Sequence, residues 1–417
     1  MTPQRPSTLP KSHGSAVMPG AVFAVSVLTA MNLLNYLDRY VPSAVKDLFK
    51  SDLKLTDAET SLPLSAFVVV YMLASPVFGA LADRHSRKGL IALGVALWSL
   101  ATAAAAFATG FWSFLAARAC VGVGEAAYAT LAPALMSDLY PPERRNRVLT
   151  VFYTAIPIGA ALGFSLGGIL GEHLGWRAAF LIVGLPGVAA AVTALMIRDP
   201  GLGAQDGKPS GPPPSWKNAL HSLRRNREYV LAVAGYTAIT FASGGMADWF
   251  PTFLSRHRGM SHAEAGSVLG TVTIIGGLLG TLTGGILADR LRGRTRHPYL
   301  ALSAVSMAPA FGFAVLALTL QDRAAIIGCI LLAQFFLWFY NGPINTVLLN
   351  CVEPAYRARA FSLSILLIHI LGDAVSPPII GAISDLTGSL PLAMWLIPAT
   401  MGLGTVIWAW AWRKLPA

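Results

Sequence analysis

The segment Gly79-Ala-Leu-Ala-Asp83-Arg84 returns later in the chain as Gly285-Ile-Leu-Ala-Asp289-Arg290, at an offset of 206 residues (289 − 83). A second pair of similar segments, Arg145-Asn-Arg147 and Arg357-Ala-Arg359, is offset by 212 residues (357 − 145). Each of the four segments follows an apolar stretch, and the two members of a pair occupy corresponding places in the order of these stretches. Two matches at nearly one offset indicate that the chain consists of two halves of the same design.

The composition around these repeats is typical of a membrane protein. Of the 417 residues, 54% are hydrophobic and only 12% are charged. A soluble domain carries roughly 25% charged residues, and a disordered chain is rich in charge and poor in apolar residues. Both classes are excluded, so the sequence predicts an all-α integral membrane protein.

Twelve apolar stretches are long enough to cross a bilayer, which takes ~20 residues of helix. The six predicted spans of the first half are Pro19–Val45, Leu62–Leu81, Gly89–Thr109, Phe111–Leu139, Val148–Leu170 and Trp176–Ile197. The six of the second half are Tyr229–Leu254, Glu264–Leu287, Pro298–Leu318, Ala324–Leu349, Ala358–Ile383 and Leu392–Trp412. The predicted fold is therefore twelve transmembrane helices in two pseudo-symmetric six-helix halves.

One long polar segment separates the sixth span from the seventh. It contains the proline-rich residues 208–215, which favour an extended linker, and then a stretch from Trp216 that could form a surface helix. We therefore predict an N-terminal half over residues 1–197, a cytoplasmic linker over residues 198–228 and a C-terminal half over residues 229–417.

The 31 Lys and Arg residues outnumber the 20 Asp and Glu residues. With the N-terminus inside, roughly three times as many basic residues fall in inner loops as in outer loops, a bias that anionic cytoplasmic lipid imposes. We expect a multi-pass protein of the cell membrane with both termini in the cytoplasm. We expect membrane lipids as its surroundings, no nucleic-acid partner and a monomeric state.

Neither an enzyme nor a cofactor-dependent protein is expected. The three cysteines show no metal-ligand spacing, and the phosphate-binding pattern Gly-x-x-x-x-Gly-Lys-[Ser/Thr] is absent from the sequence. We therefore expect no metal and no cofactor, and transport driven by an ion gradient or by facilitated diffusion.

Ionisable residues within spans are the candidates for function, because charge is costly in hydrocarbon. The first span contains Asp38 and Arg39, and the fourth contains Arg118 and Glu125. Arg118 and Glu125 are seven residues apart and share a helix face. The four residues are expected to form one buried network, with a purely structural ion-pair cluster as the alternative.

The second half contains Asp248 near the outer end of the seventh span, and His369 and Asp373 four residues apart on the eleventh. The His369 and Asp373 side chains could carry a proton or form a simple packing pair. Glycines at every fourth position of the fifth and eighth spans allow close helix contact. They indicate either a sliding contact between the halves or static packing, and they are Gly159, Gly163, Gly167, Gly171, Gly276, Gly280 and Gly284.

The end of the second span and the loop that follows it contain Gly79, Asp83, Arg84 and Arg87. Gly79 is expected to allow close helix approach, and Asp83 to pair with a helix N-terminus or an arginine. This loop resembles the signature loop of the major facilitator superfamily. The resemblance implies a conformational latch that locks the cytoplasmic side in the outward-facing state, with Asp289 and Arg290 in the second copy.

Three segments carry a narrower resemblance: Asn35-Tyr-Leu-Asp-Arg-Tyr40, Val121-Gly-Val-Gly-Glu-Ala-Ala-Tyr-Ala-Thr-Leu-Ala-Pro133 and Ser137-Asp138-Leu139. They resemble the spinster branch of the superfamily, which is associated with transport of sphingosine 1-phosphate and lysophospholipids. The resemblance implies that the residues at the matching positions line the central cavity, namely Asp38, Arg39, Arg118 and Glu125. We add Tyr36 and Tyr128 from the same segments to the substrate-binding candidates.

The expected function is secondary active transport by alternating access, coupled to protons, of amphiphilic anions such as lysophospholipids. Arg39 and Arg118 are expected to bind the anionic head group. Glu125 is favoured as the proton site because it lies deeper, and Asp38 is expected to stay ionised and hold Arg39 in place. His369 and Asp373 are the next proton candidates. The alternative is a proton-linked symporter of small organic anions or a drug exporter of the same superfamily.

Overall fold

The computed structural model describes residues 17–82, 84–201, 204, 216–291, 294–353 and 356–415, apart from the side chains of Pro142, Glu143, Asn146 and Ala358. Within these ranges the regular structure is helical, without strands. The helices of the first half are α1 (Ala21–Ala44), α2 (Lys46–Leu53), α3 (Asp57–Ala82), α4 (Arg87–Ala105), α5 (Phe111–Leu139), α6 (Pro142–Leu174), α7 (Trp176–Gly184) and α8 (Pro186–Ala194).

A short amphipathic helix, α9, lies in the predicted linker at the position where the sequence allowed a surface helix, and the second half follows it. The helices are α9 (Trp216–Arg225), α10 (Arg227–Arg258), α11 (His262–Leu291), α12 (Pro298–Thr319), α13 (Arg323–Leu337), α14 (Asn341–Asn350), α15 (Arg357–Ile368), α16 (Ser376–Thr387), α17 (Leu390–Ala393) and α18 (Leu396–Lys414). A 3-10 turn, Trp338–Tyr340, joins α13 to α14, and a π-helical turn, His369–Asp373, lies between α15 and α16.

Twelve helical segments in the described ranges are long and apolar enough to span a membrane, which confirms the predicted fold. Single helices form the first five spans and the seventh to ninth. The sixth span is α7 with α8, and the last three spans are α13 with α14, α15 with α16, and α17 with α18. Hydropathy located these spans, but it carries no information on the interruptions within them.

Helix α3 begins five residues before the predicted second span, and the reason lies in the other half. Asp385 of α16 accepts hydrogen bonds from the backbone N–H groups of Asp57 and Ala58, each at 2.8 Å. A carboxylate at a helix N-terminus satisfies free N–H groups and opposes the helix dipole. The polar first turn of α3 is therefore stabilised by a residue 327 or 328 positions away.

The two halves are joined at one end of the bundle, which we call the outer end because the sequence predicts that it faces away from the cytoplasm. It comprises residues 43–65 and 161–172 of the first half and residues 248–270 and 374–385 of the second. Arg256 of α10 lies 2.5 Å from Asp47 and 2.9 Å from Asp57 of the first half. Ser384 of α16 donates a 2.6 Å hydrogen bond to Asp57.

Glycines allow the backbones of α6 and α11 to touch at the outer end. A side chain on Gly168 would overlap the carbonyl oxygen of His262, and one on Gly266 would overlap that of Phe164. The glycines singled out in the sequence have another role. Gly159 and Gly163 pack on α1 within the first half, and Gly276 packs on α13 within the second. The ladders are thus static packing surfaces, and the contact between the halves uses neighbouring glycines instead.

We expect Gly266→Ala to weaken the closed outer end. Its new methyl group would meet the Phe164 carbonyl, a backbone atom that cannot turn aside, and such overpacking costs about 1–3 kcal/mol. Double electron–electron resonance between spin labels at positions 54 and 257, where Lys54 and His257 are exposed at this end, should give a longer distance than in the unaltered protein.

Gly285→Ala is the matched control, because it lies on the same helix with no atom within 4 Å of the added carbon. Both variants replace a glycine within α11 by alanine, so both gain the same helix propensity. Equal label distances in the two variants would show that the glycine contact does not hold the outer end together.

Candidate functional site

The four ionisable residues predicted from the first and fourth spans form two neighbouring ion pairs between α1 and α5. Arg39 Nη2 lies 2.5 Å from Glu125 Oε2, and Arg118 Nη1 lies 3.1 Å from Asp38 Oδ1. Asp38 also accepts a hydrogen bond from Thr102 of α4. Adjacent residues on a helix point about 100° apart, so Asp38 and Arg39 reach different partners. The expectation that Asp38 holds Arg39 is therefore wrong in this structure, where Asp38 holds Arg118.

Burial distinguishes the members of this charge cluster, which we define as Asp38, Arg39, Arg118 and Glu125. Glu125 is 0% exposed and the Arg118 side chain 1%, whereas the Arg39 side chain is 23% exposed. The Arg39 guanidinium also lies 4.7 Å from the centre of the Tyr36 ring and 4.9 Å from that of Phe67, within range of cation–π attraction. Arg39 is thus the member of the cluster that a ligand can reach.

The charge cluster retains unused hydrogen-bonding capacity. Glu125 Oε1, Arg39 Nε and Arg118 Nη2 are buried without a hydrogen-bond partner among the described residues. Unpaired polar atoms in an apolar interior are costly. The cluster therefore has free capacity for a proton on Glu125 and, at its accessible member Arg39, for an anion.

A cavity of about 230 Å³ lies between the two halves, beneath the closed outer end. The ionisable side chains that line it are those of Arg39, Asp373 and Tyr40. Most of the remaining wall is apolar or aromatic: Leu64, Phe67, Val68, Phe164, Met246, Leu269, Leu337 and Trp338. A cation at one wall of an apolar chamber suits a ligand with an anionic head and a hydrocarbon body.

The second half contributes the predicted His369 and Asp373 pair. His369 Nδ1 lies 2.9 Å from Asp373 Oδ2, and the two residues begin and end the π-helical turn. Such turns are frequent at functional sites. Asp373 faces the cavity from the side opposite Arg39, but no contact between this pair and the charge cluster is present among the described residues.

The two tyrosines of the predicted substrate site have different surroundings. Tyr36 is half-buried beside Arg39. Tyr128 is 1% exposed, its hydroxyl donates to the Leu28 carbonyl oxygen at 2.5 Å, and its ring packs against Trp98. Because its hydroxyl is already bonded and it does not line the cavity, we reassign Tyr128 from substrate binding to packing between α1 and α5.

Of the predicted latch residues that the structure describes, Arg87 is the buried one, with a side chain that is 2% exposed. Its guanidinium lies 2.5 Å from both Asp138, at the end of α5, and Asp199, beyond α8. Arg84 is exposed, as are Asp289 and Arg290 at the end of α11, and Asp83 lies outside the described residues. A Cβ on Gly79 would be 3.9 Å from Thr130, an ordinary contact. The close approach expected at Gly79 is therefore not made in this conformation.

We expect Asp199→Asn to lower the thermal stability of the protein, because Arg87 would keep only Asp138 as a carboxylate partner. The loss should be about 1–3 kcal/mol, as for a hydrogen bond to a charged group. Burial by itself raises the pKa of Asp199, but the hydrogen bonds and charge of Arg87, together with the Gly201 backbone N–H, hold the pKa below the ordinary value of 3.8. The stabilisation is thus complete above that value and is lost only as the pH falls through the lower folded-state pKa.

Thermal unfolding of both proteins between pH 5 and pH 8 checks this prediction. The difference in melting temperature should be constant over this range. A difference that disappears towards pH 5 would show that Asp199 titrates there and that its pairing with Arg87 is weak.

Sequence reasoning did not identify the polar residues that close the outer end. Lys46, Asp57, Arg256 and Asp385 flank apolar stretches, where charged residues ordinarily anchor helices at the lipid surface. Asp248 was predicted as an ionisable residue of the seventh span, but its partner Lys46 directly follows the first span, where a basic residue is typical of a loop. One sequence feature could have identified them. Basic and acidic residues flank spans of the two halves at the same end, and these spans must meet if the halves are related by symmetry.

Comparison with known proteins places this architecture in a family. The Major Facilitator Superfamily model matches residues 28–372. The chain is 34% identical over 399 residues to "Protein spinster" of Drosophila melanogaster, covering 91% of this chain and 64% of the fly protein. It is 35% identical over 393 residues to "Protein spinster homolog 1" of Homo sapiens, covering 89% of this chain and 74% of the human protein.

Two crystal structures of a bacterial homolog of the human lysosomal transporter spinster have the same fold. In the inward-facing, unoccupied conformation the TM-score is 0.80 at 22% identity, covering 95% of this chain and 96% of that chain. In the inward-facing, occupied conformation the TM-score is 0.82 at 21% identity, covering 96% and 98%.

Proposed function

This chain belongs to the spinster family of the major facilitator superfamily, and we propose that it is a proton-coupled secondary transporter of lysophospholipids or similar amphiphilic anions. The observation that carries this proposal is the position of Arg39. It is the partly exposed member of an otherwise buried charge cluster, and it lines an apolar cavity between the two halves.

The ion pair between Arg39 and Glu125 supports the coupling. A phosphate offers several acceptor oxygens that suit the planar donor fork of an arginine. When such an anion binds Arg39, it competes with Glu125 for the same guanidinium. Glu125 is fully buried, and a carboxylate that loses its cationic partner in a low-dielectric site is stabilised by taking up a proton. Binding of the anion and binding of the proton then favour each other.

The apolar wall supports an amphiphile rather than a small acid. A lysophospholipid would place its phosphate at Arg39 and its acyl chain along the side chains that include Phe67, Phe164 and Leu269. A fully hydrophilic anion would leave those side chains against water. With the termini in the cytoplasm, as the basic-residue bias predicts, the closed outer end supports an inward-facing state in which the cavity is reached from the cytoplasm.

Uptake by proteoliposomes tests the proposal. Radiolabelled lysophosphatidic acid should accumulate when the pH gradient directs protons inward, and glycerol 3-phosphate, which has the same head group without the acyl chain, should not. Accumulation of glycerol 3-phosphate alone would favour the small-anion alternative, and accumulation of neither would refute transport of this substrate class.

A further inference from the structure

The outer end contains a buried carboxylate surrounded by donors from the opposite half. Asp248 of α10 accepts hydrogen bonds from Ser61 Oγ at 2.6 Å and from Ser43 Oγ at 3.2 Å. Its third partner is the Lys46 ammonium, which also donates to Ser61 Oγ at 2.9 Å. The side chains of Lys46 and Asp248 are 1% and 3% exposed. The acceptor thus comes from the second half, and these three donors come from the first.

We propose that Lys46, Ser43 and Ser61 form a second anion subsite, which binds the phosphate of an amphiphilic substrate when the outer end is open, and that Asp248 occupies this subsite when the outer end is closed. The proposal rests on the proposed function for its substrate class. The Asp248 carboxylate stands in for the substrate oxygens, because carboxylate and phosphate accept the same charge-assisted hydrogen bonds.

Separation of the halves frees these donors for another acceptor. When the outer end opens, Asp248 moves away with the second half, while Lys46, Ser43 and Ser61 stay together on the first. Burial lowers the pKa of Lys46 from its ordinary value of 10.5, although Asp248 acts in the opposite direction. In the closed state the Lys46 side chain is 1% exposed; opening exposes it together with the two serines, and an incoming phosphate can accept the hydrogen bonds that Asp248 gave up.

A second observation points to a ligand at the same place. A small cavity of about 10 Å³ is lined by Ser43, Lys46, Asp248 and Arg118. Arg118 Nη2 is buried without a hydrogen-bond partner among the described residues. A tetrahedral anion at Lys46 would bring an oxygen towards this free donor, which the planar carboxylate of Asp248 leaves unused.

The subsite adjoins the larger cavity. Ser43 lines both spaces, so the first half carries a row of cations from Arg39 through Arg118 to Lys46. A phosphate can pass along this row without losing cationic contact. Asp248 competes with it at the outer end, and closure therefore requires that the substrate has left the subsite.

The test uses the purified full-length protein and hexyl phosphate, a soluble amphiphilic phosphate, with binding measured by calorimetry at constant ionic strength. Asp248→Asn should bind hexyl phosphate about tenfold more tightly than the unaltered protein, because the competing carboxylate is gone. Adding Lys46→Gln should remove this gain. Adding Lys54→Gln, a change of an exposed lysine on the same outer surface, should retain it. Equal affinity with and without Lys46→Gln would overturn the subsite.

Spin labels at Lys54 and His257 give a test that needs no change at Asp248. Hexyl phosphate should lengthen their distance in Arg39→Ala, where the cavity site is removed, and hexanol should not. An unchanged distance would overturn the subsite. The proposed function is judged separately by uptake of lysophosphatidic acid, so failure of uptake with Lys46-dependent binding of hexyl phosphate would refute the function and support the subsite.

Discussion

Replacing Arg39 by alanine should weaken binding of lysophosphatidic acid by at least about thirtyfold and abolish its transport. Truncating one partner of a buried, hydrogen-bonded charge pair costs about 2–5 kcal/mol, and 2 kcal/mol already corresponds to about thirtyfold in affinity. Arg39 is the cation that faces the cavity, since Arg118 is 1% exposed and is held by Asp38. No other arginine or lysine lines the larger cavity in the described part of the chain.

Scintillation proximity binding with the purified protein measures this effect. Arg39→Ala also leaves Glu125 without its partner, so the double variant Arg39→Ala/Glu125→Gln separates lost binding from lost stability. Arg225→Ala, which removes an exposed arginine of α9, is the charge control and should bind normally. Normal binding by the double variant would show that the head group does not use Arg39.

Glu125→Gln should abolish substrate accumulation driven by a pH gradient while keeping substrate binding and exchange. Glutamine retains the size and one acceptor oxygen of Glu125, but it cannot exchange a proton. Because the residue is fully buried and bonded to Arg39, its loss leaves the guanidinium free for the anion. The variant therefore resembles the protonated protein and should bind substrate at least as tightly as the unaltered protein.

Two assays in proteoliposomes separate these effects. Counterflow of labelled against unlabelled lysophosphatidic acid should continue in Glu125→Gln, and concentrative uptake with an imposed pH gradient should be absent. Glu264→Gln, at an exposed acid paired with Arg323 on the surface, should behave like the unaltered protein. Uptake by Glu125→Gln that follows the gradient would move the proton site to Asp38 or to the His369 and Asp373 pair.

The sequence predicted the parts of the structure that depend on composition and on one helix at a time. Twelve spans follow from hydropathy, and the repeated loops indicated two related halves. The charge cluster was predicted because Asp38, Arg39, Arg118 and Glu125 stand in otherwise apolar stretches. Their pairing was not predicted correctly, since it depends on how far α1 and α5 are rotated against each other, which no single helix encodes.

Features that depend on contact between the halves were the least predictable. The outer end is held by residues such as Asp57 and Arg256, about 200 positions apart in sequence, and nothing local marks them as partners. The glycines that touch across the halves, Gly168 and Gly266, stand beside glycines that pack within a half. Sequence spacing detects that a helix has a small-residue face, but it does not say which neighbour that face meets.

Proton movement driven by the substrate tests most directly whether binding of the anion and binding of the proton are linked through Arg39 and Glu125. Proteoliposomes containing a trapped pH-sensitive dye receive lysophosphatidic acid outside, with no initial pH gradient. The interior should acidify with the unaltered protein, whereas Arg39→Ala and Glu125→Gln should produce no more acidification than protein-free liposomes show. Acidification by Glu125→Gln at the rate of the unaltered protein, or substrate entry without acidification in the unaltered protein, would contradict this linkage.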